Sequence, residues 1–227
     1  RRSLLGIDNL DVDFVVEGDG IAFARALAKE RAGRVKVHER FGTAVVLLPD
    51  GFKVDVATAR TEYYEYPTAL PTVEQSSIKK DLYRRDFTIN ALAIRLNRTP
   101  GELLDFFGGR RDLKDKIVRV LHSLSFVEDP TRVFRAIRFE QRFGFQVSKE
   151  TQHFIQQAET MELFHRLSGT RLGNELIHIL EEPEPAKGIQ RLNQFKLFPF
   201  IHPKLQWKEP ASTLFESGEK ILAWHEV

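Results

Sequence analysis

The sequence predicts an α+β chain: a small mixed β-sheet with helical cover, followed by an all-α part. Two patterns predict it. Short alternating apolar runs dominate the first sixty residues, and helical periodicity takes over from Ile78. Length and composition agree. The 227 residues are 42% hydrophobic and 29% charged, enough for one large or two small domains with a real core.

Each element has its own signal. "LDVDFVVEG" is rich in β-formers and closes on glycine. "IAFARALAKERAG", Ile21 to Gly33, repeats its apolar residues at helical spacing and ends in glycine. "RVKVHERFGTAVVLLPDG" reads as strand, loop, strand and a tight Pro-Asp-Gly turn. "FKVDVATAR" alternates as another strand. Thr61 to Ser77, with two prolines and no sustained period, reads as a long loop of the functional kind. Asp86 to Ile94 is expected to form a short helix. "ELLDFFGGRRDLKDKIVRVL" reads as a strand, a Gly-Gly turn and a helix-like connector. In "EDPTRVFRAIRFEQRFGF", Asp129 caps a helix, Pro130 sits in its first turn and Gly144 stops it. Further helices are expected over Lys149–Thr160, Ser168–Leu180 and Pro185–Phe195.

Composition bounds the function. Net charge is only +2, so the total does not argue for a nucleic-acid partner. Lys79 to Arg142, however, holds fifteen Lys or Arg against nine Asp or Glu. That local excess suits either an anionic partner or a solvated charged face. Cysteine is absent, which excludes disulfides and Cys-based zinc sites and allows a reducing compartment. No apolar run approaches the roughly 20 residues that span a membrane, and no signal peptide is visible. The chain opens at Arg1 without Met and reads as an internal piece of a longer protein.

Three constellations carry candidate chemistry. On a strand, Asp11 and Asp13 share one face, with Asp55 in "KVDVAT" on a neighbouring strand. Same-facing carboxylates are what two Mg²⁺ ions need, although Asp-x-Asp is also the ordinary polar face of a half-buried strand. In "YRRDFTINALA", Arg84 and Arg85 would precede a helix start, where phosphates bind well. Asp86 and Asn90, one turn apart, would offer a carboxylate and an amide to ribose hydroxyls. Surface charge and a simple N-cap are the plainer readings of these residues. Arg132, Arg135, Arg138 and Arg142 fall within about 120° of one helix face. Asp129 lies one turn before Arg132. A carboxylate beside a guanidinium complements an amino donor next to a ring-nitrogen acceptor, the edge that cytosine and adenine present. An ordinary intrahelical salt bridge is the alternative.

Together, "LDVDFVVEGD", "DVATAR", "DLYRRDFTINALA", "DFFGGRRDLKDKIVRVL", "EDPTRVFRAIRF" and "GTRLGNELIHIL" resemble the bacterial (class II) tRNA nucleotidyltransferase and poly(A) polymerase family, within the polymerase-β-like nucleotidyltransferases. The resemblance covers roughly Arg1 to Leu180. It implies a nucleotidyltransferase head over residues 1–122, a helical neck that recognises the base over 123–180, and the start of a helical body over 181–227. It implies two Mg²⁺ ions on Asp11 and Asp13, with Asp55 as a further catalytic acid. It implies that Arg1, Arg85, Asp86 and Asn90 hold the incoming nucleotide, and that Asp129 and Arg132 select CTP and ATP. Arg135 and Arg138 would contact the triphosphate or support that helix. "FFGGRRDL" would be a hinge framed by Asp105 and Asp112, and Thr61–Ser77 would be a flexible loop that rearranges the pocket. The implied partner is the 3′ end of a tRNA, in the cytoplasm, with no membrane. The departures are also plain. The family's Gly-Gly before the arginine matching Arg1 is absent, Arg2 stands where Asp is common, and the tail domain is not seen. A poly(A) polymerase, or a non-catalytic RNA-binding module with an incomplete pocket, are the rival expectations.

Overall fold

The computed structural model describes residues 12–66, 72–97, 100–208 and 217–218. Arg1 and Asp11 lie outside the described residues. The chain divides into two compact units, with the main boundary between Arg110 and Arg111. The α+β class expected from the sequence is borne out.

The first unit is built on a four-stranded sheet. Its elements are β1 (Val12–Val16), α1 (Gly20–Glu30), β2 (Arg34–His38), β3 (Thr43–Leu47) and β4 (Lys53–Thr58). The strand order is β1-β4-β3-β2, with β1 parallel to β4 and the other pairs antiparallel. Alternation in β3 and β4 points Ala44, Val46, Val54 and Val56 toward α1, where they pack with Ala24 and Ala28. Asp19 caps α1 by accepting the Ala22 amide at 2.9 Å. Gly20 lets this helix start press against β4: a Cβ there would stand 2.8 Å from the Thr58 nitrogen.

Two expectations are corrected next. The segment read as a loop contains a hairpin, β5 (Arg60–Tyr63) paired antiparallel with β6 (Thr72–Gln75). The β-formers Thr61, Tyr63, Thr72 and Val73 lie in the strands, whose mixed polar faces gave no clean period. After α2 (Ile78–Tyr83), Asp86 to Ile94 is not an α-helix. It runs as a single 3₁₀ turn over Thr88–Asn90 and then β7 (Leu92–Ile94), paired with β8 (Leu103–Asp105). Thr88 and Ile89 are β-branched and Asn90 is a poor helix former, which favours one tight turn over a propagated helix.

From α3 (Gly109–Lys114) the chain enters the second unit, which is helical apart from β9 (Ile117–Val118) and its parallel partner β10 (Gln146–Val147). Its helices are α4 (Ser125–Glu128), α5 (Thr131–Phe143), α6 (Lys149–Thr160), α7 (Gly169–Leu180), α8 (Pro185–Gln194) and α9 (Phe198–Ile201). α5 is its axis. Val133, Phe134, Ala136 and Ile137 are fully buried, and Phe134 meets Phe164 edge to face at 6.0 Å. α5 packs against α7 and α8. Gly144 closes α5 in the left-handed conformation, φ 60°, as its sequence position predicted. Among the described residues, no helix is long and apolar enough to cross a membrane.

The Gly108-Gly109 pair has two separate reasons. Gly108 has φ 78°, and Gly109 sits against the backbone of the 3₁₀ turn. A Cβ at Gly109 would collide with the Thr88 carbonyl oxygen, a backbone atom that cannot swing aside. Gly109→Ala is therefore expected to destabilise the protein by about 2–3 kcal/mol, measured by urea denaturation.

Candidate functional site

β1 and β4 place two acids abreast. The parallel register pairs Asp13 with Asp55, so their side chains leave the same face of the sheet. Neighbouring strands are about 4.8 Å apart, which sets the two carboxylates within reach of one small cation. Asp13 is exposed. Asp55 is half-buried and holds Lys53 Nζ at 3.1 Å, a surface pair that a competing cation can displace. Among the described residues no three acids or histidines cluster as a metal site, and Asp11 is outside them. Hard oxygen donors on adjacent strands nonetheless fit Mg²⁺ by chemistry.

The arginines of "YRRDF" are organised by an acid that sequence reading passed over. Asp81, 1% exposed, accepts Arg84 Nη2 at 2.8 Å and Nε at 3.1 Å, Arg85 Nη2 at 3.3 Å and the Arg60 amide at 3.2 Å. Glu62 adds an ion pair to Arg84 at 2.7 Å. Arg85 Nη1 also reaches the Asn90 carbonyl at 3.4 Å. The expected helix start at these arginines is corrected: Arg84 is the C-cap of α2, so no helix N-terminus helps them there. Asp86 and Asn90 do come together. Asn90 Nδ2 donates to Asp86 Oδ1 at 2.7 Å, and the same oxygen accepts the Phe87 amide at 2.8 Å. The 3₁₀ turn achieves by contact what a helical turn was expected to achieve by spacing. Asp105 caps α3, accepting the amides of Gly109 (2.8 Å) and Arg110 (3.0 Å). Buried Asp112 holds Arg119 at 3.0 Å.

In the second unit the four arginines do share one face of α5, but acids meet that face. Arg132 is 5% exposed and donates to Ser125 Oγ at 2.9 Å, with Glu128 at 3.5 Å. Arg142 Nε donates to Glu182 at 2.7 Å, and Arg138 Nε stands 3.8 Å from the same acid without a hydrogen bond. Arg135 and Arg138 both lie over the Phe139 ring at 5.6 Å. Glu175, on α7, is raised above the usual carboxylate range by burial, although Arg135 and Arg138 pull it back down. Asp129 pairs with Arg171 of α7 at 2.8 Å. Neither Glu182 nor Arg171 stood out in the sequence, because both pairings span about forty residues.

The chain belongs to the poly A polymerase head-domain family, which residues 1–119 match. Residues 144–208 match a second family, described as the probable RNA and SrmB-binding site of polymerase A. The A-adding tRNA nucleotidyltransferase of Geobacter sulfurreducens is 54% identical over all of this chain and 26% of that protein. A solved CCA-adding enzyme in its apo form is 48% identical, with a TM-score of 0.93 over 98% of this chain and 53% of that one. The Thermotoga maritima CCA-adding enzyme, solved with tRNA, is 47% identical, with a TM-score of 0.80 over 92% of this chain and 47% of that one. The chain thus spans about a quarter to a half of the proteins it resembles.

Two predictions follow from the charges. Asp81→Asn removes the acid that holds Arg84 and Arg85. A loss of about 2–3 kcal/mol is expected in urea denaturation, less than for a fully buried pair because both arginines are partly exposed. His122 is held down from 6.5 to about 4, mainly by burial and then by the Arg132 guanidinium. It is neutral at pH 7, so its 3.4 Å contact with Glu128 is not an ion pair there. Between these two pKa values the unfolded chain binds the extra proton and the folded one does not. Stability therefore falls as pH drops from 6.5 to about 4. His122→Gln is expected to make that fall shallower, by up to ~1 kcal/mol per pH unit, in denaturation series at pH 4.5, 5.5 and 6.5.

Proposed function

We propose that this chain is the catalytic portion of an Mg²⁺-dependent, template-independent RNA nucleotidyltransferase. It adds A, C or both to the 3′ end of tRNA in the cytoplasm. The observation that carries this reading is the Asp13–Asp55 register pair on adjacent parallel strands. The name of the Geobacter sulfurreducens relative favours A addition, and the tRNA complex of the Thermotoga maritima relative favours tRNA as the partner. We keep the three-part division into a head over residues 1–122, a neck over 123–180 and a body over 181–227.

The roles follow from chemistry. The terminal 3′-hydroxyl of the tRNA gives its proton to solvent, its oxygen forms a bond to the α-phosphorus of the nucleotide, the bond from that phosphorus to the bridging oxygen breaks, and pyrophosphate leaves. Asp13 and Asp55, with Asp11 added on the sequence pattern alone, would hold two Mg²⁺ ions. When bound, Mg²⁺ supplies Lewis acidity toward the attacking hydroxyl and charge neutralisation at the leaving oxygens. Arg85 would take the triphosphate, already oriented by Asp81 and the Asn90 carbonyl. Asp86 and Asn90 would take the ribose, and Arg1 enters on the resemblance alone. Asp129 and Arg132 would read the base edge, with Arg135 and Arg138 supporting that helix.

The test uses the full-length protein with Mg²⁺ and one nucleotide at a time, on tRNA transcripts ending before CCA, after C and after CC. Addition of a single A to the CC-ended transcript is the expected result. CTP-dependent growth would extend the activity to C, and an open-ended A tail would make the protein a poly(A) polymerase. RNA binding without addition to any transcript overturns the reading in favour of a non-catalytic module. Asp13→Ala and Asp55→Ala are each expected to cut addition by about 10²-fold or more with unchanged melting temperature. Near-normal turnover in both would refute the metal assignment.

A further inference from the structure

α7 carries a cation where helix electrostatics disfavours one. Ser168 caps this helix and accepts the Arg171 amide at 3.3 Å, so Arg171 lies in its first turn. A positive side chain there opposes the helix dipole, so α7's own stability does not explain it. Its guanidinium reaches Asp129, forty-two residues away in sequence, at 2.8 Å.

The bonds to Asp129 are unevenly shared between its two oxygens. Oδ1 accepts the Thr131 amide at 3.0 Å, the Thr131 hydroxyl at 2.6 Å and Arg171 Nη2 at 2.8 Å. Three donors on one oxygen fix the carboxylate in position and rotation. Oδ2 accepts no hydrogen bond among the described residues, and the side chain keeps 23% of its surface open. A carboxylate held by one oxygen presents the other as a directed acceptor. Arg132, by contrast, is already engaged with Ser125 and Glu128.

We propose that Arg171 is a positioning residue for base selection: with Thr131 it clamps Asp129 Oδ1, so that Oδ2 is aimed at the exocyclic amine of the incoming base. This inference rests on the proposed role of Asp129. Arg171 acts through Asp129 and touches no substrate. Losing the clamp frees the carboxylate to rotate, and a freely rotating acceptor discriminates poorly between an amine and a carbonyl. Selection of A over U and G then weakens while the chemical step persists.

The experiment measures incorporation of ATP, CTP, GTP and UTP into CC-ended tRNA by the full-length protein. Wild type is compared with Asp129→Ala, Arg171→Gln, Arg171→Lys and Thr131→Val, with melting temperature recorded for each. Arg171→Gln is expected to lower the kcat/KM ratio of ATP to UTP or GTP by roughly tenfold or more, since a charge-assisted bond is lost. The loss should fall mainly on KM for ATP, and Arg171→Lys should restore part of it. Thr131→Val, which removes one bond to the same oxygen, should shift the ratio the same way by less. If Asp129→Ala loses selectivity while Arg171→Gln and Thr131→Val both keep it, the clamp is refuted and the base-reading role stands. If Asp129→Ala itself keeps wild-type selectivity, the base-reading role falls and the clamp falls with it. Should Arg171→Gln fail to fold, Arg171→Lys and Thr131→Val decide, and wild-type ratios in both overturn the proposal.

Discussion

A guanidinium cannot discharge itself by losing a proton, so an arginine taken out of water must be given an acid. This chain takes several arginines out of water, and in each unit an acid organises them. Asp81 collects Arg84 and Arg85 in the first unit. In the second, Glu182 collects Arg138 and Arg142, Glu140 holds Arg191 at 2.7 Å, and Asp129 holds Arg171. The acids are the more buried partners: Asp81, Glu140 and Glu182 are all under 10% exposed. Burying the acid and leaving part of the guanidinium open produces a cation of fixed direction. That property suits phosphate better than a flexible surface charge does.

The same rule explains how α5 serves two purposes. Its apolar arc, with Phe134 and Ile137, makes it the centre of the second unit's packing. Its polar arc would be an expensive surface to bury if it were simply positive. Glu175 and Glu182 of the neighbouring chain segment remove that cost by facing the arginines. Packing thereby fixes the rotation of α5, and rotation fixes where Asp129 and Arg132 stand. The core residues of α5 and the polar groups on and beside it are coupled through a single angle.

Much of this was legible in the sequence, for local reasons. α5 was marked at both ends, by Asp129 and Pro130 before it and Gly144 after it, and α6 ran over the expected residues. Asp86 and Asn90 were correctly read as neighbours, though a 3₁₀ turn rather than an α-helix joins them. What escaped was long-range. Asp55 was expected on a strand beside that of Asp13, but the parallel β1–β4 register that sets the two abreast is a matter of topology that no local pattern encodes. Arg171 sits in a helix the sequence announced, but its partner Asp129 lies forty-two residues earlier, between two other helices. Asp81 was closer to view: it stands four residues before Arg85 on a helical segment, the spacing at which opposite charges meet.

The candidate groups stand on different kinds of support, and the difference has a physical consequence. Asp13 and Asp55 stand on paired strands, where the ladder fixes both backbones at once. Such a pair is held at constant spacing without help from side-chain contacts. Arg85 and Asp129 stand beside helix ends and a short turn, where the backbone alone fixes less, and both are held by side-chain bonds instead. Ordering those side chains before any ligand arrives moves the entropy cost of binding into folding. On the proposed reading, a triphosphate or a base edge would meet groups that already point in one direction. Side-chain clamps also differ from a ladder in being separable: one substitution loosens one group and leaves its neighbours in place. Loss of either strand acid therefore breaks a pair fixed by the ladder, whereas each clamped group can be loosened singly while the fold is retained.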